Sequence, residues 1–515
     1  MQEDTRKGEV ALQELLLKPE HTTGSVVRAD ELDEQFLWPL VIQGILQKIV
    51  EGWYYVSDPS SPEWERPVYW DIAYWRFIPS FLEREYGDRW CLSADDSLMF
   101  MSENGVIPFN LTVRVEGVQT HVVRLPAGKE LLVVGASLPK FVEREKRFGV
   151  RLYQLSHALL AASPGFCLVH PIEARTCLAL LRDTEDVARV ALEEKLATGA
   201  AKVAGGLMSI GFPIMAENLL IRLENGNMKV EPDNPFQKDV TLNLYESAIS
   251  SRMRLMWMCM RERVLREDGS GRRITKAWTP SEVNDIMDKA FLKDAASTLC
   301  LQEMNVTEAL ARSVVEGKWE YEVLCQEAGE ENVAATMGYL EAYRLARTDI
   351  LDSLSGGCEP QKLFERIKGW HTALMQPFKD HGLLEDESYR FYRRKEGFVI
   401  GSDHIPVGAD EVPAAMDTLE ELLAGERKPF VRAVLGAFFL EYIQPVHKVT
   451  GVLARLYLNS QLVCHGLPWI TVGEEDRSDY QRSVEEGSVN LFIHNFANLI
   501  AKQIETATVE MSKSC

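Results

Sequence analysis

Residues 442–470, YIQPVHKVTGVLARLYLNSQLVCHGLPWI, impose more on the fold than any other stretch of the chain. Pro445 and Gly451 mark a loop. Beyond it, Leu453, Leu456, Tyr457, Ser460/Gln461 and Val463/Cys464 recur at helical spacing until Gly466 and Pro468 stop the helix. A loop followed by a long buried helix is suited to anions, because the first backbone N–H groups of a helix lack partners and point out of its end.

This stretch resembles the signature of the Fic (Fido) family, HPFx[D/E]GNGRxxR. Aligned without gaps, Pro445, Gly451, Arg455 and Asn459 match, as do Leu453-Ala454-Arg455 and the Gly466/Pro468 stop. The departures fall on the chemistry. The family's catalytic His is Gln444 here, its Phe is Val446 and its metal-binding acid is Lys448. Its first motif Gly is Val449, its Asn is Thr450 and its first Arg is Val452. An amide cannot take a proton at neutral pH, so Gln444 cannot serve as a general base. Lys448 would meet Mg²⁺ with like charge. His447 is the alternative base, eight residues before Arg455, but using it shifts the register and breaks the matches at Pro445, Gly451 and Asn459. The resemblance implies a nucleotide site at Thr450, Gly451 and Arg455, with ATP and Mg²⁺ as ligands if the pocket survives.

A second family signature is the inhibitory helix, [S/T]xxxE[G/N]. EALARSVVEGKWE at 308–320 places Glu316 and Gly317 at its Glu-Gly, with Arg312 at the Ser/Thr position. The resemblance implies a Glu316–Arg455 clasp, either inhibitory or purely structural. Residues 397–406 read as a hairpin in the place of the family's flap, which pairs with target segments and is the expected protein-partner surface. The likeness covers roughly residues 300 to 505.

Composition narrows the remaining classes. At 515 residues there is room for about three domains, and 46% hydrophobic with 26% charged residues is ordinary globular usage. A formal net charge of -21 argues against broad binding to nucleic acid or an anionic membrane. Nine Cys are spread without a CxxC pair, which reads as reduced thiols and gives neither a disulfide framework nor a metal site. Residues 1–20 are charged throughout, with no basic-then-apolar leader, and the expectation is a cytoplasmic protein.

The expected fold class is α+β: a winged-helix-like unit at 1–58, an α+β domain at 59–224, a helical connector at 225–299 and a mostly α-helical Fic domain at 300–515. In the first, helices are expected at 7–17, 29–36 and 39–51, the last started by Pro39 and stopped by Gly52 before the aromatic strand 53–56. Helix, Gly and aromatic wing resemble the opening of AbiEi-type abortive-infection antitoxin regulators, and the sheet expected at 97–134 followed by HPIEARTCLALL at 170–181 resembles their middle domain. That likeness implies a bacterial toxin–antitoxin or phage-defence setting. Gln43, Gln47 and Lys48 would form the DNA-facing side of the third helix, with Ile42, Ile45, Leu46 and Ile49 inward and a homodimer doubling the contacts. The alternative is a packing or protein-contact module.

In the second region, 97–101, 111–116, 120–125 and 130–134 read as strands of an antiparallel sheet. His121, His157 and His170 are scattered without ligand spacing. Met253, Met256, Trp257 and Met260 form a stripe expected to be core or a seam. Three functions follow: a Fic-fold protein with a degenerate motif that regulates or binds, an AMP-transferase working through an altered motif, or a DNA-binding regulator.

Overall fold

The computed structural model describes residues 2–17, 25–57, 66–244, 246–268, 277–317, 320–384, 386–399 and 401–514. The chain divides into two compact units: residues 1–252 with 398–405, and residues 253–397 with 406–515. It is a mixed α+β protein and, among the described residues, every strand lies in the first unit.

The first unit opens with α1 (Gln2–Leu16), β1 (Val26–Arg28), α2 (Glu34–Ile42), β2 (Leu46–Val50) and β3 (Trp53–Val56). The strands form an antiparallel sheet in the order β1-β3-β2. The helix expected at 39–51 is therefore wrong: α2 ends at Ile42 and residues 46–50 are strand. Ile45, Leu46 and Ile49 fit a helical period, but Gly44 at φ 76° ends the helix. Gly52, also at φ 76°, turns the chain so that Leu46 pairs with Val56 and Gln47 with Tyr55. Ile42, expected inside, is 71% exposed. The 29–36 expectation resolves into a short 3-10 turn at Ala29–Glu31 and the start of α2.

α3 (Arg66–Tyr86) sets Trp70, Tyr74, Phe77 and Phe81 at three- and four-residue spacing. Trp70 packs 5.6 Å from both Tyr74 and Phe77, and Phe77 packs 5.5 Å from Trp53. Next come β4 (Trp90–Leu92), α4 (Ala94–Met101), β5 (Asn110–Val115), β6 (His121–Arg124) and β7 (Glu130–Gly135). The strand expected at 97–101 is helix α4. Ser93 caps it by accepting from Asp96 N at 3.0 Å, and Asp95 and Asp96 sit in its first turn. The sheet runs β4-β5-β7-β6 and is mixed, because β5 and β7 are parallel with Leu111 opposite Leu131. A two-stranded ribbon, β8 (Val142–Arg144) and β9 (Arg151–Tyr153), precedes six helices. These are α5 (Leu155–Ala161), α6 (Phe166–Val169), α7 (Pro171–Ala179), α8 (Glu185–Glu194), α9 (Ala197–Ser209) and α10 (Pro213–Asn225).

Residues 398–405 belong to this unit and do not form the expected hairpin among the described residues. Their backbone pairs with residues 105–107 instead: Ile107 N donates to Asp403 O at 2.8 Å and Ile405 N to Gly105 O at 2.7 Å. A Cβ on Gly105 would lie 2.2 Å from Ile405 O, so only glycine permits this approach. Lys129, 5% exposed, holds Asp403 at 2.7 Å.

α11 (Ala248–Asp268) carries the chain into the helical unit. There follow α12 (Pro280–Cys300), α13 (Glu308–Glu316), α14 (Tyr321–Ala328), α15 (Glu330–Leu354), α16 (Ile367–Asp380), α17 (Val412–Gly425) and α18 (Pro429–Ile443). The last three are α19 (Thr450–Cys464), α20 (Arg477–Asn490) and α21 (His494–Ser514). Met253, Met256, Trp257 and Met260 are buried, with Trp257 5.7 Å from Phe439. Thr279 caps α12 in a full capping box with Glu282, and Thr307 caps α13. Among the described residues no helix is long and apolar enough to cross a membrane.

Candidate functional site

The candidate site is the turn from α18 to α19. α18 is apolar almost throughout and ends where Gln444 takes a left-handed conformation, φ 50°, its N–H returning to Leu440 O. Lys448 is left-handed too, at φ 63°, and α19 begins at Thr450. Two non-glycine residues in that region within five positions make this a tightly specified loop. Val446 and Thr450 are buried, and the Thr450 hydroxyl donates to Val446 O at 3.2 Å.

The loop is stapled from outside by Arg393, a residue nothing in the motif spacing could reveal. Its N–H donates to Pro445 O at 3.0 Å and its Nε to Gln444 O at 2.6 Å. Its guanidinium also donates to Lys395 O and Val407 O. At 7% exposure it is a buried cation held by carbonyls.

The motif positions fall into two sets. Gln444, Gly451 and Arg455 converge on Glu441, which sequence reading also missed. Gln444 Nε2 donates to Glu441 O at 3.0 Å and to Oε2 at 3.2 Å. Tyr480 OH donates to Glu441 Oε1 at 3.2 Å, and Arg455 Nη1 lies 3.6 Å from the same oxygen. Arg455 Nη2 donates to Thr298 O at 3.0 Å, and its guanidinium carbon sits 5.6 Å from the Tyr480 ring centre. Burial pushes the Glu441 carboxyl up, and the Arg455 charge opposes the shift. A Cβ on Gly451 would stand 2.6 Å from Gln302 Nε2, 2.9 Å from Glu441 Oε1 and 3.0 Å from Arg455 Nη1. The start of α19 is packed with the protein's own polar atoms.

His447 and Lys448 form the second set: both are exposed, and Lys448 Nζ approaches Glu331 at 3.7 Å. Glu316 does not clasp Arg455. It is exposed at the end of α13, off the buried stripe of Leu310, Ala311 and Val314. Gly317, at φ 64°, is the helix stop, which accounts for the Glu-Gly pair without a ligand. Gln43, Gln47 and Lys48 are not brought together on a helix. Gln43 is the C-cap of α2, while Gln47 and Lys48 are successive residues of β2 and point to opposite faces. Lys48 is further paired with Glu51.

Below the loop, Asn459 exchanges two buried hydrogen bonds with Ile470, at 2.9 and 2.8 Å, and Gly466 at φ 75° lets the chain turn back. Asp294 accepts from Tyr339 OH and from Thr471 Oγ1, and burial raises its carboxyl to about 6.

No family model matches the chain. Over 121 residues it is 28% identical to the protein adenylyltransferase Fic of Nematostella vectensis, a match spanning 22% of this chain and 28% of that relative's length. The chain is similar to Fic proteins. Among solved structures, Fic-1 from C. elegans aligns over 70% of this chain and 92% of its own at 13% identity and a TM-score of 0.37. A Fic-domain signalling protein from Bacteroides thetaiotaomicron aligns over 49% of this chain and 93% of its own, at 15% identity and a TM-score of 0.34. At such scores the structural likeness carries no weight, and the sequence match alone supports a family reading.

Proposed function

We propose that the helical unit is a Fic-type domain that has lost AMP transfer and serves in binding or regulation. The observation that carries this is the crowding of the α19 start by Glu441, Gln302 and Arg455 around Gly451. An anion at a helix N-terminus needs free N–H groups and space. Here a carboxylate already lies beside the first turn, and it would repel a phosphate. ATP with Mg²⁺, the pair the resemblance implies, does not fit these residues. Gln444 spends its amide on Glu441 and has no titrating group, and Lys448 offers a cation where a metal needs an anion.

The test is transfer of label from ATP to the protein itself or to an added hydroxyl-bearing protein. No transfer is expected from wild type, and none from Gln444→His, which restores the base and leaves the crowding. Label above a Gln444→Ala, His447→Ala double variant would instead establish an AMP-transferase working through an altered motif.

A further inference from the structure

The first unit holds a cavity of about 430 Å³ beside α4, lined by Trp75, Phe100, Asp95, Asp96, Val169 and His170 among others. Its size falls in the range of small-molecule sites. Trp75 and Phe100 meet edge to face, their centres 5.1 Å apart. Among the described residues no Lys or Arg lines it. Both acids come from the first turn of α4, and their hydrogen bonds are only partly used. Asp96 Oδ2 accepts from Ser93 Oγ at 2.5 Å and Thr112 N at 3.2 Å, leaving Oδ1 without a partner among the described residues. Asp95 Oδ1 accepts from Ser163 N at 2.8 Å, and its Oδ2 is likewise left over.

We propose that this cavity binds a compact organic ammonium ion, a protonated aryl- or alkylamine seated between Asp96 and the rings of Trp75 and Phe100. A partly desolvated carboxylate oxygen is a strong acceptor for N⁺–H, and aromatic rings attract a cation that has left water. Both features disfavour anions and give a neutral ligand nothing extra. Burial raises the Asp96 carboxyl to about 6, so it is ionised at neutral pH and available as the counter-charge. The site is separate from the α18–α19 turn and does not depend on the Fic-type reading.

The experiment is calorimetric titration of the full chain with benzylamine at neutral pH, against benzyl alcohol as the uncharged analogue. Saturable one-site binding of benzylamine is expected, with benzyl alcohol weaker by about tenfold or more. Asp96→Asn should weaken benzylamine by about tenfold and leave benzyl alcohol unchanged. Because Asp96 also supports the start of α4, Val169→Lys is the second variant. Val169 is 68% exposed at the cavity, so a lysine there adds like charge without disturbing packing, and benzylamine affinity should fall while the melting temperature holds. Equal affinity for the two probes, no saturable binding by either, or an affinity untouched by Val169→Lys would overturn the proposal.

Discussion

The loop at 444–452 and the helix body at 453–470 are held in different ways. In the helix body the polar side chains bond to backbone: Asn459 to both groups of Ile470, Gln461 to Pro360 O, Arg455 to Thr298 O. In the loop the contacts stay within the turn or reach solvent: Gln444 bonds the backbone O and Oε2 of Glu441, Thr450 bonds Val446 O, and Lys448 reaches exposed Glu331. A side chain whose partners are buried backbone groups is required by the fold itself, since those groups have no other way to be satisfied. Gln444 and Lys448, whose partners lie within the turn or in solvent, are demanded less by the fold, so these are positions where chemistry can be carried or lost. Of the positions that match the Fic signature, Arg455 and Asn459 are of the first kind; of the departures, Gln444 and Lys448 are of the second, while Val446, Val449 and Val452 are buried apolar side chains.

The sharpest way to break this contrast is Arg455→Ala. It strips buried Glu441 of the one cation that pairs with it among the described residues, and a loss of about 3–5 kcal/mol is expected in chemical denaturation. Combining it with Glu441→Ala should cost less than the two single changes added together, a coupling that a double-mutant cycle reads directly. Asn459→Ala comes next, at about 2–3 kcal/mol, because both a buried N–H and a buried carbonyl of Ile470 lose their partner. If Gln444→Ala proved as costly as either, the division between loop and helix body would fail.

A pH prediction sharpens the same picture from within the core. Asp294 has a folded-state pKa of about 6, raised by burial above its ordinary value of 3.8. The folded form thus binds its proton more tightly than the unfolded chain. Its contribution to stability is full below about pH 4 and is lost as pH rises toward 6. Denaturation midpoints across that interval should fall with rising pH by more in wild type than in Asp294→Asn. The smallest effect belongs to Glu316→Ala, expected within about 0.5 kcal/mol because the side chain is solvated. A large loss there would revive the clasp with Arg455.

Local signals were legible wherever a residue's own backbone need decided the outcome. Gly466 as a helix stop and the Met stripe of α11 could be read from spacing, whereas Gly317 is a helix stop at a position the resemblance gives to an inhibitory pair. Residues 46–50 misled because Ile45, Leu46 and Ile49 satisfy a helical period and a strand pairing equally. What decided between them was the partner strand and two left-handed glycines, Gly44 and Gly52. The strand expected at 97–101 failed for the converse reason: the Ser93 cap outweighed an apolar run. Of the candidate site, the turn and Arg455 were visible in the sequence. Glu441 and Arg393 were not, because nothing in the chain announces which distant charge will fill a buried gap. Glu316 was chosen for Arg455 by resemblance, when a carboxylate on the adjoining helix already lay beside it.

The central claim is that the protein's own side chains occupy the start of α19. Isothermal titration of the full chain with ATP, with and without Mg²⁺, tests it most directly. The account predicts no saturable heat at ATP concentrations up to about 1 mM in either condition. Saturable micromolar binding that Mg²⁺ strengthens and Arg455→Lys abolishes, in a variant that still unfolds cooperatively, would contradict it.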